Sequence, residues 1–136
     1  MVTQRYRKTT GSVYNLHFHL VWCPKYRYPV LVGKVATRLK QLLAEKAKEL
    51  EAEIESLEIM PDHVHLFVSV PPIYAPAQIA FQFKGFTSRI LRQEFPYLKT
   101  RLPSLWSRSY YVGSAGSVTA DTIRRYIAEQ KTRQSR

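Results

Sequence analysis

The chain has 136 residues, 45% of them hydrophobic and 12% aromatic, and 21 Lys+Arg stand against 10 Asp+Glu for a net charge of +11. That length suits one domain, 1–136, with a core of its own, and only 5 Gly and 8 Pro exclude collagen-like, low-complexity or largely disordered classes. A charge of that size speaks to partners, and the available polyanions are nucleic acid and anionic membrane.

The charge is segregated. Residues 45–62 hold seven carboxylates and two lysines, a net of −5, so the rest of the chain holds 19 basic and 3 acidic residues, a net of +16. This predicts that one segment faces away from a polyanion while the remainder faces it. Cys23 is the only cysteine, so disulfide frameworks and thiolate zinc sites are excluded. No apolar run approaches the ~20 residues that span a bilayer. The apolar stretch after Arg5, Arg7 and Lys8 is interrupted by Asn15, His17 and His19, which a signal peptide would not tolerate. The expectation is a cytoplasmic protein with no membrane partner.

Residues 1–12 read as a basic arm. Val13 to Cys23 alternates, with Leu16, Phe18, Leu20 and Trp22 on one side and His17, His19, Val21 and Cys23 on the other, the period of a strand. Gly33 to about Glu53 reads as a helix through Val35, Leu39, Leu42, Leu43, Ala47 and Leu50. Ile54 to Met60 predicts a second strand, and Pro61-Asp62 a turn. His63 to Val70 is the clearest strand, with Val64, Leu66, Val68 and Val70 opposite His63, His65, Phe67 and Ser69.

Pro76 opens a helix running to about Phe95, and Pro96 and Pro103 frame a loop. Ser107 to Val112 predicts a fourth strand, followed by a glycine hinge at 113–116. Ser117 or Thr119 can cap a last helix, 117–132. The order predicts an α+β fold, βαββαβ plus a C-terminal helix, with helices on one face of an antiparallel, ferredoxin- or RRM-like sheet. Both histidine pairs would then emerge on the open face.

His63-Val64-His65 sets two imidazoles on one side of a strand, roughly 6.5–7 Å apart by strand rise, where they can converge on one metal ion. His17-Phe18-His19 competes as a ligand source, and partly exposed histidines satisfied by backbone or water account for either pair equally simply. On the last helix Ile123, Tyr126, Ile127 and Gln130 share a face. A tyrosine there is usually core, but a buried glutamine amide needs a partner. At i, i+4 the two side chains present a phenol and an amide oxygen to the same point, a nucleophile and a metal donor.

Pro61-Asp62-His63-Val64-His65-Leu66-Phe67-Val68, followed at distance by Tyr126-Ile127-Ala128-Glu129-Gln130, resembles the single-tyrosine HUH transposases of the smallest bacterial and archaeal insertion sequences, the IS200-like family. Leu20-Val21-Trp22 with Lys25-Tyr26-Arg27, Lys84-Gly85 with Thr87-Ser88-Arg89, and Trp106 to Gly116 match in the same order, so the resemblance spans roughly Val13 to Gln130. It implies that His63, His65 and Gln130 hold one divalent metal ion, Mg²⁺ or Mn²⁺, per active site. Tyr126 would cleave and rejoin single-stranded DNA through a 5′-phosphotyrosine, at element ends marked by subterminal hairpins. It also implies a homodimer in which the last helix can serve the partner's histidine pair.

Lys84, Arg89, Arg92, Lys99, Arg101, Arg108, Arg124 and Arg125 are candidate phosphate contacts, each with solvated surface charge as the simpler account. Two alternatives have different biology: a domesticated relative acting on chromosomal repeat hairpins, and a non-catalytic RRM-like nucleic-acid-binding domain. The second explains charge and fold, but not Gln130 beside Tyr126.

Overall fold

The computed structural model describes residues 7–9, 12–114 and 119–134. Residues 1–6 and 10–11 of the arm, the 115–116 half of the hinge, and Ser117 as a cap lie outside them.

The elements in order are β1 (Arg7–Thr9), β2 (Ser12–Tyr14), β3 (His17–Trp22), a 3-10 turn at Lys25–Arg27, α1 (Gly33–Glu49), β4 (Glu53–Met60), β5 (His63–Ser69), α2 (Pro76–Glu94), α3 (Tyr97–Arg101), β6 (Tyr111–Ser114) and α4 (Ala120–Gln134). β3 to β6 form a four-stranded antiparallel sheet in the order β4-β5-β3-β6. The two histidine-bearing strands are its central neighbours, and β1 and β2 form a separate antiparallel pair.

Leu20, Trp22, Val64, Leu66 and Val68 turn to one face and are fully buried with Leu39 and Leu43 of α1 and Ile79, Phe83 and Leu91 of α2. Burying side chains of this size contributes about 1.5–3 kcal/mol each, so the alternation of β3 and β5 settles which face meets the helices. Trp22 meets Trp106 edge to face, centroids 5.9 Å apart. His17, His19, His63, His65 and Phe67 are half-buried on the other face.

The predicted first strand is two strands, because Ser12–Tyr14 pairs with Arg7–Thr9 while His17–Trp22 pairs with β5 and β6. The arm is anchored where it is described: Arg7 Nη1 donates to the carbonyl and hydroxyl of Ser69, both at 3.1 Å, and its Nη2 donates to the Glu51 carbonyl. Arg7 is therefore a strap across the sheet.

α1 stops at Glu49, short of the predicted Glu53. Glu51 takes the left-handed conformation (φ 57°), its N–H donates to Lys48 O at 3.1 Å, and Ala52 N–H donates to Ala47 O at 2.8 Å. That is a Schellman ending with glutamate where glycine is usual, so the sequence carries no stop signal. A bulge between Ile54 and Ser56 explains why the half-buried apolar positions of β4 run 54, 57, 59.

The predicted strand at 107–112 begins only at Tyr111, and Gly113 and Ser114 belong to it rather than to a hinge. Ser107–Ser109 leave the ladder because Lys84 Nζ donates to their carbonyls, at 2.8, 3.4 and 3.1 Å for Ser107, Arg108 and Ser109. The predicted loop between Pro96 and Pro103 contains α3. Thr119 caps α4, its hydroxyl accepting from Thr122 N–H at 3.1 Å. Among the described residues no helix is long and apolar enough to cross a membrane.

Candidate active site

β5 starts at His63, directly after the Pro61-Asp62 turn, so Asp62 lies beside the first imidazole. Its Oδ1 is 2.9 Å from His63 Nδ1, while Oδ2 meets Arg27 Nε at 3.0 Å. A carboxylate on Nδ1 fixes the tautomer and leaves Nε2 as the lone-pair donor, the usual support of a metal-binding histidine. Glu58 comes within 3.9 Å of that Nε2.

His65 lies two residues along the same face. Its Nε2 is 2.9 Å from His19 Nδ1, and burial lowers the pKa of both rings. For His65 the Glu58 carboxylate opposes that shift and His63 reinforces it. Both rings are thereby biased toward the neutral form, which a metal ligand requires. His19 also stacks on Phe67 at 4.3 Å, and His17 stacks on it at 5.6 Å with Glu55 3.7 Å away. The rival pair is thus split: His19 abuts His65, and His17 faces the β4 side.

Tyr126 and Gln130 meet at one atom. Ser109 Oγ is 2.8 Å from the Tyr126 hydroxyl and donates to Gln130 Oε1 at 2.6 Å. Ser109 has a single proton, so once Gln130 accepts it the Tyr126 hydroxyl must donate to Ser109. Gln130 is 2% exposed, and its Nε2 has no hydrogen-bond partner among the described residues. Tyr111 packs near Tyr126, ring centroids 6.1 Å apart.

Arg27 joins the two halves. Besides holding Asp62 it donates from Nη1 to the Ile127 carbonyl of α4 at 3.1 Å. Tyr26 and Arg27 both adopt left-handed backbone (φ 58° and 54°), which aims the guanidinium at that gap. The structure therefore brings His63 to His65 and Tyr126 to Gln130, and ties the pairs through Asp62, Arg27 and α4. Sequence reasoning missed Ser109, Arg27 and the part played by Asp62. The only signal was the requirement that a buried Gln130 amide find a partner.

Residues 12–130 match the family described as IS200-like transposase. The chain belongs to the IS200-like transposase family. Over 126 residues it is 40% identical to the ISDra2 transposase TnpA of Deinococcus radiodurans, covering 91% of this chain and 90% of that one. It is 28% identical to the IS200 transposase of Salmonella typhimurium, over 87% and 81% of the two chains. A crystal structure from D. radiodurans described as a transposase superposes with a TM-score of 0.84 at 38% identity, over 91% of this chain and 97% of that one. A REP-associated tyrosine transposase bound to a REP hairpin shares the fold, with a TM-score of 0.56 at 12% identity over 93% and 67%. In this IS200-like transposase the histidines lie on the open sheet face and the phenol and amide on α4, tied to one another through Arg27 and Asp62.

Among the described residues no group of three or more His, Cys, Asp or Glu is placed to hold a metal ion. A third protein donor beside His63 and His65 would have to come from another residue type, and the Gln130 amide oxygen is of that type. The candidate phosphate contacts divide. Lys84 is occupied by three carbonyls, and Arg92 Nη2 lies 3.5 Å from the carbonyls of Leu102 and Pro103. Arg124 pairs with Asp121. Arg89, Lys99, Arg101, Arg108 and Arg125 are exposed.

Proposed function

We propose that this transposase cleaves and rejoins single-stranded DNA at insertion-sequence ends, with Tyr126 as nucleophile. The observation that carries the reading is the convergence of the Tyr126 phenol and the Gln130 amide on Ser109, on a helix tied through Arg27 and Asp62 to His63.

The Tyr126 oxygen attacks the scissile phosphorus, a Tyr126 O–P bond forms, and the P–O3′ bond breaks. The phenol proton leaves and the departing 3′ oxygen takes up one, leaving a 5′-phosphotyrosine and a free 3′-hydroxyl. Bond number is conserved, so a different 3′-hydroxyl can attack the adduct and join strands without ATP. A free phenol has a pKa near 10, so Ser109, which accepts its proton in the resting hydrogen bond, places that proton away from the attacking lone pair.

His63, His65 and Gln130 would hold one Mg²⁺ or Mn²⁺ ion, and the set fits: two imidazoles held neutral or tautomer-fixed, and a buried amide. When bound, the ion supplies Lewis-acid stabilisation and a template for the scissile phosphate. The protein's own residues orient the imidazoles, through Asp62 and His19, and fix the position of the helix. Exposed Arg89, Arg108 and Arg125 are proposed to contact phosphates. Recognition of subterminal hairpins is supported by the hairpin complex of the structural neighbour, and a homodimer sharing α4 between subunits belongs to the same reading.

The test is incubation with labelled single-stranded DNA from the flanks of the gene, with Mg²⁺ or Mn²⁺. An SDS-resistant protein–DNA adduct, absent in Tyr126→Phe, is the expected result. No adduct with any flanking hairpin substrate would overturn the reading, and an adduct retained in Tyr126→Phe would move the nucleophile elsewhere.

A further inference from the structure

α2 and the 104–110 segment line an open cavity of about 370 Å³. That is the size class of small-ligand pockets, about 300–1,000 Å³. Its walls are aromatic, from Phe81, Trp106 and Tyr110, with the hydroxyl of Ser88 and the guanidinium of Arg108 at the lining. Phe81 is 74% exposed although it lies on a helix whose Phe83 is fully buried.

Gly85 lines the same cavity. A glycine inside a helix costs about 1 kcal/mol relative to alanine, so its presence calls for a reason. Backbone conformation does not supply one, because the positive-φ glycine among the described residues is Gly33. Close packing does not either, because a Cβ added at Gly85 would meet nothing within 4 Å. What a side chain there would do is project into the cavity and reduce it.

We propose that this cavity receives one unpaired nucleobase of the single-stranded DNA, stacked on Phe81 and Tyr110 above the gap that Gly85 leaves open. This deepens the proposed single-strand reading and rests on it. Every base has a π-face, so an aromatic-walled pocket takes a base with little demand on its identity. Arg108 is exposed and supplies the positive charge for the adjoining phosphate, which an apolar side chain of another protein would leave unused. The segment is also stiff: Lys84 fixes the Ser107–Ser109 carbonyls, and Ser109, between the lining residues Arg108 and Tyr110, holds Tyr126 and Gln130. A base held there sits on a strand leading to the nucleophile.

The test uses the Tyr126→Phe protein, so that binding is read without cleavage, and flanking single-stranded oligonucleotides with 2-aminopurine substituted one position at a time. One position should lose at least half its fluorescence on binding. Phe81→Ala, at an exposed site, and Gly85→Leu, which fills the cavity, should each abolish that quench and weaken binding about tenfold, the scale of one lost base–aromatic stack. An abasic residue at the quenched position should weaken the parent to the same level and the two variants no further. A complex with no quenched position, or variants that bind and quench like the parent, would overturn the pocket. So would a Gly85→Leu protein whose oligomeric state changes while its DNA binding does not, since the cavity would then belong to a second copy. Adduct formation by the unsubstituted enzyme is scored in parallel. Adduct without quench removes the pocket and leaves the cleavage reading, and quench without adduct does the reverse.

Discussion

Arg27→Ala should slow phosphotyrosine formation without weakening the fold. The guanidinium makes two charge-assisted contacts, 3.0 Å to Asp62 and 3.1 Å to the Ile127 carbonyl. The Arg27 and Asp62 side chains are 24% and 28% exposed, so water competes and each contact is discounted to about 0.5–1 kcal/mol. Losing both shifts the docking equilibrium of α4 by about 1–2 kcal/mol, which is roughly 5- to 30-fold. The assay is single-turnover adduct formation at saturating DNA and metal, where the rate reads the docked fraction. Deuterium uptake should rise in residues 120–130 and stay unchanged in α1. Arg27→Lys should fall between, since one ammonium cannot serve both acceptors. Arg27→Gly separates rate from stability, because it removes the latch while relieving a left-handed residue that costs roughly 1 kcal/mol. Its melting temperature should therefore equal or exceed that of Arg27→Ala while its rate is equally low. A saturating rate and an α4 uptake both unchanged in Arg27→Ala would refute the latch.

Ser109→Ala leaves the buried Gln130 amide oxygen without its donor, and should cost about 1–3 kcal/mol by denaturant titration along with a slower adduct step. Lys84→Met should destabilise by a similar amount through three unpaired carbonyls, yet leave the salt dependence of DNA binding unchanged; a slope smaller by about one would make Lys84 a phosphate contact instead. Cys23 is fully buried and its thiol is pushed up to about 12, chiefly by burial, so native protein at pH 8 should resist iodoacetamide and denatured protein should react. Glu58→Gln should raise the Mn²⁺ concentration needed for half-maximal cleavage a few-fold, the most that one solvent-exposed carboxylate 3.9 Å from His63 supplies.

The open face was legible because the alternation in β3 and β5 admits one solution: Leu20, Trp22, Val64 and Leu66 can be buried together only if the histidines point the other way. Thr119 was legible as a cap because its bond is local. The errors came where a long-range contact overrides local pattern. Ser107–Ser109 precede the Tyr110-Tyr111 pair that suggests a strand, but a lysine 23 to 25 residues earlier takes their carbonyls. Glu51 ends α1 in a conformation its side chain does not advertise. The pairs His-x-His and Tyr-x-x-x-Gln each lie on one element and could be read from spacing. Ser109, Arg27 and Asp62 connect them across 21, 100 and 35 residues of chain, and no periodicity reports such contacts.

The charge separation needs a different account from the one its segregation suggested. Glu45 and Glu49 lie on α1, facing Arg38 and Lys46, but two carboxylates of the acidic stretch, Glu58 and Asp62, stand at the first histidine, and Glu55 faces His17. The acidic segment does not simply turn away from the substrate. Its β4 edge pairs with β5 so that Glu58 lies opposite His65, and the turn between the strands delivers Asp62. Carboxylates beside imidazoles attract a cation and orient its ligands without occupying its coordination positions. They would also repel DNA, unless cations outnumber them locally. Arg27 balances Asp62 at 3.0 Å, while among the described residues Glu58 at His63 has no Lys or Arg partner. The excess of +16 over the remaining chain can then act at longer range, where a backbone of phosphates is gathered. On the proposed reading the two signs would serve different ligands: the few acidic groups a metal ion at one point, and the many basic groups the phosphates of a strand.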